Sequence, residues 1–481
     1  MTHHDLETYY SANPSVSTRL LGEKEALLFQ PDTNQEKFIN LSGLFIWQQL
    51  DGSLTVRELA DKLGEAFASA PAGQILEDAA DFLEALSGQE FVSKHRDRLP
   101  PAGEPKEYPD VDDAPLTLDI SITGKCNLRC QYCFYADAMQ SRQDLSSEEW
   151  NSFFAELGKL AVREVCLSGG EVFVRSDLMD LIDRVTANRM RYSLLTNGTL
   201  ITEKTVAALK KFGRLARLSS IQVSIDGSCA EVHDASRGRG SFDKAIKGLR
   251  LLQEAGLPVT SRVTINRYNV DDLENIAGFL LDEIGLQGFS TNDAMPLGAG
   301  CGNQDEIALR PDQQLKAMRT LSLLAQRYND RITAMAGPLA NRRMYRAMEH
   351  ARATGEKTTN WKMGYLTGCG CVFSKLAVHH DGVITPCNLL PKLELGRINT
   401  NSLKEIWKSH PTLKNLQERR RIPMSEVPGC RDCEWAPYCN GGCPGLADEI
   451  DENFNHASPQ GCYRRFLDNL GLEGPIVDKY L

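Results

Sequence analysis

Cys126-Asn-Leu-Arg-Cys130-Gln-Tyr-Cys133 places three thiols on one short stretch, in the spacing C-x3-C-x2-C. Three thiolates carried by a single loop can ligate three irons of a four-iron cluster and leave the fourth iron open. Zinc would need a fourth protein ligand, and the next cysteine, Cys166, lies inside a predicted strand. A second set comprises Cys369, Cys371 and Cys387, followed by Cys430-x2-Cys433-x5-Cys439-x3-Cys443 and Cys462. C-x2-C pairs bind zinc as readily as iron–sulfur clusters, so this set alone leaves both open. Of the 14 cysteines, Cys166, Cys229 and Cys301 fall outside both sets. Cys166 reads as a small buried apolar residue and the other two as inert loop thiols.

The elements that must position these thiols fall into recognisable stretches. Residues 1–98 read as a small α+β unit, with strands at 17–21 and 25–30 and amphipathic helices at 40–50, 55–67 and 74–86. Residues 99–115 are proline-rich without apolar periodicity and predict a stiff linker. Between 116 and 330, strands are predicted at 116–123, 164–168, 191–196, 221–225, 259–265 and 288–292. Amphipathic helices separate them, and no hairpin signal intervenes. The pattern predicts an α/β domain, a parallel sheet closed into a barrel or part-barrel, with chemistry at the C-terminal strand ends. Residues 331–360 predict a helical bridge. From 361 to 481 the chain is punctuated by Cys, Gly and Pro, with one short hairpin turning at Asp381-Gly382, so bound metal should hold it together.

The formal net charge of −10 argues against a general binder of nucleic acid or anionic membrane. No apolar run reaches the roughly 18 residues that span a bilayer. The start, Met-Thr-His-His-Asp-Leu-Glu, lacks the basic and apolar regions of a secretory signal. The expectation is a cytoplasmic chain whose thiols stay reduced and free for metal.

The three-cysteine loop resembles the signature of the radical S-adenosylmethionine (radical SAM) superfamily, and further motifs match in order. In that family the open iron binds the amino and carboxylate groups of S-adenosyl-L-methionine, whose reductive cleavage gives a hydrogen-abstracting 5′-deoxyadenosyl radical. The resemblance implies a partial (β/α)6 barrel. Ser168-Gly169-Gly170-Glu171 matches the glycine-rich motif contacting the methionine amino group, with Glu171 the ammonium acceptor. Thr196-Asn197 and Ser224-Ile-Asp226 match positions that hold the cofactor's ribose and carboxylate, and Arg237 an arginine aimed at that carboxylate. Val172 stands where proline usually follows the glycines.

The second cysteine set resembles the seven-cysteine SPASM extension, which carries two auxiliary four-iron clusters. By that resemblance Cys430, Cys433, Cys439 and Cys462 hold the outer cluster, and Cys369, Cys387 and Cys443 the inner one. Cys371 is the candidate fourth inner ligand, an alternative to Cys369, or absent from an open site. The implied total is three [4Fe–4S] clusters. Sulfatase-maturing relatives have an aspartate, proposed as a base, directly after the second SPASM cysteine. Asn388 stands there and cannot accept a proton. Asp293, at the end of the last predicted barrel strand, is one substitute, against an ordinary solvated carboxylate.

Ile39, Ile46-Trp47, Leu50-Asp51-Gly52 and Thr55-Val-Arg-Glu-Leu59 resemble the PqqD-like peptide-recognition element, a winged helix-turn-helix with a three-stranded sheet. That implies binding of a precursor-peptide leader by strand addition, here near 27–30 and along the helix 74–86. A DNA-binding winged helix is the alternative, opposed by Asp61, Glu65, Glu77, Asp78 and Asp81 on the helices. Together the resemblances imply a maturase that cross-links a ribosomally made peptide through a thioether or carbon–carbon bond, fed by a donor such as flavodoxin or ferredoxin. The rivals are a peptide epimerase or oxidase, a radical enzyme of a small metabolite, and a zinc-stapled DNA-binding regulator.

Overall fold

The computed structural model describes residues 6–67, 71–101, 107–140 and 143–480. The amino-terminal unit contains β1 (Tyr9–Ala12), β2 (Ser17–Leu20), β3 (Ala26–Gln30), β4 (Gln35–Ile39), β5 (Asp51–Thr55) and β6 (Val92–His95). They form two antiparallel three-stranded sheets, ordered β5-β1-β6 and β2-β3-β4, where the sequence reading gave one. The additional strands are short and partly polar, Asp51-Gly-Ser-Leu-Thr among them, so they carry little alternation. Helices Leu41–Gln48, Val56–Ala66 and Ala72–Gly88 match the three predicted ones. Thr55 and Glu58 cap the second in a reciprocal box, at 3.1 and 2.8 Å. Leu28, Trp47, Leu59 and Leu83 form the core, and Trp47 Nε1 donates to Thr18 Oγ1 at 3.0 Å.

One sequence expectation is corrected here. β3, the strand at 27–30 assigned to peptide addition, is paired on both sides, by β2 and β4. Its five residues are all buried, so it has no edge to offer. β4 is the outer strand of its sheet, and Phe38 on it is 68% exposed. Phe82 of the helix Ala72–Gly88 lies beside Ile39 at the end of β4, the two meeting over Gly43.

Seven parallel strands follow: β7 (Thr117–Thr123), β8 (Glu164–Gly169), β9 (Arg191–Thr196), β10 (Leu218–Ser224), β11 (Val259–Ile265), β12 (Phe289–Asp293) and β13 (Ile332–Ala334). The first six coincide with the predicted barrel strands within a few residues. β13 has only three residues and went unread, so a strand interrupts the predicted helical bridge before the helix Gly337–Thr354. The predicted carboxy-terminal hairpin, β14 (Lys375–Val378) and β15 (Val383–Thr385), is extended by β16 (Gly396–Arg397). β14 pairs in parallel with β7, so all ten strands form one sheet, β13-β12-β11-β10-β9-β8-β7-β14-β15-β16. Side chains buried between sheet and helices, including Ile120, Leu167, Leu194 and Val263, make up the large core.

The predicted linker is strapped down over its described second half. Leu20 N donates to Pro109 O at 2.8 Å, and Asp113 accepts from Lys404 and Lys408 at 2.8 and 3.0 Å. Residues 102–106 lie outside the described residues. The β3–β4 turn seats on the opposite end of the barrel from its C-terminal strand tips. Arg191 Nη1 donates to Pro31 O at 2.7 Å, Arg217 pairs with Asp32 at 2.8 Å, and Arg163 pairs with Glu36. All three arginines stand where barrel strands begin. Among the described residues no helix is long and apolar enough to cross a membrane.

Candidate active site

The loop after β7 carries Cys126, Cys130 and Cys133 and is tied down at many points. Asp144 accepts from Thr123 Oγ1 at 2.6 Å and Gly124 N at 2.7 Å, fixing its start. Gln131 donates through its backbone to Ser236 O and through its side chain to Ala235 O, both at 2.9 Å. Ala299 N donates to Cys133 O at 3.0 Å. The end of β8 presses against the loop. A Cβ on Gly170 would stand 2.2 Å from Lys125 O, and Gly169 has φ +133° with its Cβ position 2.2 Å from Thr123 O. The glycines thus admit the cysteine loop itself, beyond any role toward a ligand. Burial pushes all three thiols upward, Cys130 to about 11, so ligation there displaces protons.

These thiols border a cavity of about 240 Å³ at the C-terminal strand ends, together with Ser168, Gly169, Gly170, Thr196, Asn197, Ser224 and Arg237. Glu171 and Asp226 depart from expectation, because their oxygens are already taken. Glu171 is 1% exposed and accepts from Thr196 Oγ1 at 2.7 Å, Phe173 N at 3.1 Å and Asn197 N at 2.6 Å. Asp226 is 0% exposed and accepts from Thr264 N at 2.7 Å, Arg237 Nε at 2.6 Å and the Tyr132 hydroxyl. Neither side chain borders the cavity. They hold the strand-end loops in place, which is the work of a buried carboxylate surrounded by donors. Arg237 lies over the Tyr132 ring, 5.4 Å from its centroid, which links the cysteine loop to β10.

The structure adds one residue that the sequence reading missed, His233, and brings two that it named, Asp293 and Asn388, to the cavity. His233 Nδ1 accepts Asp226 N–H at 3.1 Å, so the neutral ring is the form that fits. Its i,i+4 spacing from Arg237 on the helix Ala230–Arg237 was the available signal. Asp293 and Asn388 border the same cavity. Phe134, Tyr135 and Asn388 also border a neighbouring cavity of about 320 Å³ that opens between barrel and carboxy-terminal region.

The carboxy-terminal thiols sort into two groups. Cys369, Cys371, Cys387 and Cys443 interact among themselves, and the coupled pair Cys369–Cys371 holds Cys369 below the usual thiol range and Cys371 above it. Buried Arg419 faces Cys369 and Cys443, a cation suited to a thiolate set. Cys430, Cys433, Cys439 and Cys462 surround a second, smaller void. Among the described residues no three Cys, His, Asp or Glu side chains stand close enough to hold a single metal ion. Cys430, Cys433, Cys439 and Cys462 border a shared void instead.

Residues 120–280 match the Radical SAM superfamily, 369–434 the SPASM iron–sulfur cluster-binding domain, and 25–92 coenzyme PQQ synthesis protein D, PqqD. The chain is a radical SAM enzyme of the SPASM type. It carries a PqqD-like amino-terminal element, and S-adenosylmethionine and iron–sulfur clusters are the cofactors of this radical SAM chemistry. The enzyme is 28% identical over 333 residues to mycofactocin maturase MftC of Mycolicibacterium smegmatis, covering 69% of this chain and 78% of that one. It is 27% identical over 360 residues to an AdoMet-dependent heme synthase of Methanosarcina barkeri, covering 74% and 98%. Its fold matches that of Streptococcus suis SuiB bound to the precursor peptide SuiA, with TM-score 0.63, 14% identity, and coverage of 94% and 100%. The donor set fits these cofactors: thiols at the cavity wall, with glycine backbone, hydroxyls and a guanidinium alongside.

Proposed function

We propose that this radical SAM enzyme matures a ribosomally synthesised precursor peptide, closing an intrapeptide thioether or carbon–carbon cross-link. Bound S-adenosylmethionine supplies a 5′-deoxyadenosyl radical that removes a hydrogen atom from the core peptide. In this reading Cys126, Cys130 and Cys133 ligate the radical SAM cluster. Ser168, Gly169, Gly170, Thr196, Asn197, Ser224 and Arg237 contact the cofactor, and Glu171 and Asp226 position them. Cys369, Cys371, Cys387 and Cys443 hold the inner auxiliary cluster, and Cys430, Cys433, Cys439 and Cys462 the outer one, three [4Fe–4S] clusters in all. Flavodoxin or ferredoxin delivers the electron. Residues 1–98 recognise the leader, 116–330 form the catalytic barrel, and 361–481 form the SPASM domain, joined by 99–115 and 331–360.

The observation that carries the peptide reading is an outer strand, β4, in the PqqD-matched sheet of a chain that also bears the radical SAM cavity. A leader added along β4 would gain main-chain hydrogen bonds there and side-chain contacts with Phe38 and the helix Ala72–Gly88. The heme synthase relative favours a second reading, a small-metabolite substrate. Co-expression with the peptide encoded by a short neighbouring open reading frame tests both. A cross-link removes two hydrogens from the peptide mass, and epimerisation removes none. Failure of the enzyme to bind or change any such peptide would sink the maturase reading in favour of the metabolite.

A further inference from the structure

Among the described residues, the cavity that holds the three-cysteine loop is bordered by a single carboxylate, Asp293, and by no histidine or lysine. Asp293 is the last residue of β12, so it stands at the catalytic end of the barrel. Its interactions among the described residues are with its own backbone amide and with Tyr345 of the helix Gly337–Thr354. It is thus unlike Glu171 and Asp226, whose oxygens are saturated. Asn388 borders the same cavity with its Oδ1 buried and without a partner among the described residues. An amide there orients a neighbour but takes no proton.

We propose that Asp293 is the proton acceptor of the reaction. This rests on the peptide-maturing reading. Loss of a hydrogen atom breaks one C–H bond of the core peptide and leaves a carbon radical. That carbon then bonds to a nearby sulfur or carbon. The S–H or C–H bond of this second atom breaks as the link forms. Its proton passes to a carboxylate oxygen of Asp293, and the remaining electron would go to a one-electron acceptor, the chemistry that an oxidised iron–sulfur cluster on the carboxy-terminal thiols would supply. The peptide therefore loses two hydrogens in total. Burial pushes the Asp293 carboxyl up to about 6, which leaves it ionised at neutral pH yet basic enough to hold a proton.

Asp293→Asn and Asp293→Glu test this with the co-expressed precursor. Asp293→Asn should bind S-adenosylmethionine within about twofold of wild type and still release 5′-deoxyadenosine, while cross-linked product falls at least ~100-fold. Asp293→Glu should recover part of that loss. Wild-type cross-linking by Asp293→Asn would overturn the proposal, as would joint loss of cofactor binding and thermal stability, which would mark a structural residue. A separate measurement needs no peptide. The infrared difference between wild type and Asp293→Asn should contain a carboxyl band titrating near pH 6; a group that stays ionised through the ordinary aspartate range overturns the assignment. An unchanged peptide mass in wild type counts against the maturase reading, and the infrared titration then decides on Asp293 alone.

Discussion

Arg237 Nε donates to Asp226 Oδ2 at 2.6 Å, and the pair sits beneath the cysteine loop with side-chain exposures of 7% and 0%. The Tyr132 hydroxyl, from between Cys130 and Cys133, reaches the same carboxylate. One buried ion pair therefore couples the cluster loop to the strand-end motif on β10.

Truncating Arg237 leaves the Asp226 charge buried without its cation. Arg237→Ala should cost about 3–5 kcal/mol, whereas Asp226→Asn combined with Arg237→Met should recover a good part of it. Anaerobic denaturant melts of the reconstituted protein provide the check. Equal stability of Arg237→Ala and wild type would show that the pair carries no such load.

Burial, and then Arg237, hold His233 down from 6.5 to about 4. The unfolded chain takes up this proton near 6.5 and the folded chain only near 4, so acidification through that window favours unfolding. Stability should fall by at most roughly 3 kcal/mol on His233's account as pH drops from about 6.5 toward 4. His233→Gln should flatten that slope but not abolish it, since burial holds His379 at about 4 as well. Melts at a series of pH values measure the difference in slope.

Iron content should fall in three separable steps. Alanine at Cys126, Cys130 and Cys133, at the inner four thiols, or at the outer four should each remove roughly four of about 12 irons per chain. The first set alone should abolish 5′-deoxyadenosine formation under strong chemical reductant. Retention of that product by the triple variant would refute the mechanism.

Phe38→Glu should weaken leader binding about tenfold, near 1.4 kcal/mol, by placing charge on the outer face of β4. Glu254→Gln, at the exposed end of the barrel helix Ser241–Glu254, serves as a surface control. Fluorescence titration of a labelled precursor distinguishes this from a metabolite enzyme, for which neither variant would matter.

Much of the catalytic half was legible because its signals are local. Parallel barrel strands read as apolar runs, and the spacing from Cys126 to Cys133 needs no long-range knowledge. The pairing of β14 with β7 was not legible, because nothing in Lys375-Leu-Ala-Val specifies a partner more than two hundred and fifty residues earlier. The same applies to the role of Glu171. Its motif was plain, but its three donors come from backbone and side chains that only the folded loops bring together. β3 misled for a related reason, as a strand's edge depends on which neighbours it acquires.

The arginine contacts that seat the β3–β4 turn against the starts of the barrel strands set a ruler for the substrate. A chain tethered along β4 begins its journey at the foot of the barrel, while the thiol-lined mouth lies a strand's length away, roughly 20 Å. Extended peptide advances at most ~3.3–3.6 Å per residue, so at least about six residues must separate the tethered stretch from the first atom attacked. Precursors with shorter spacers would be held fast yet remain chemically untouched, and the position of modification should count outward from the tether.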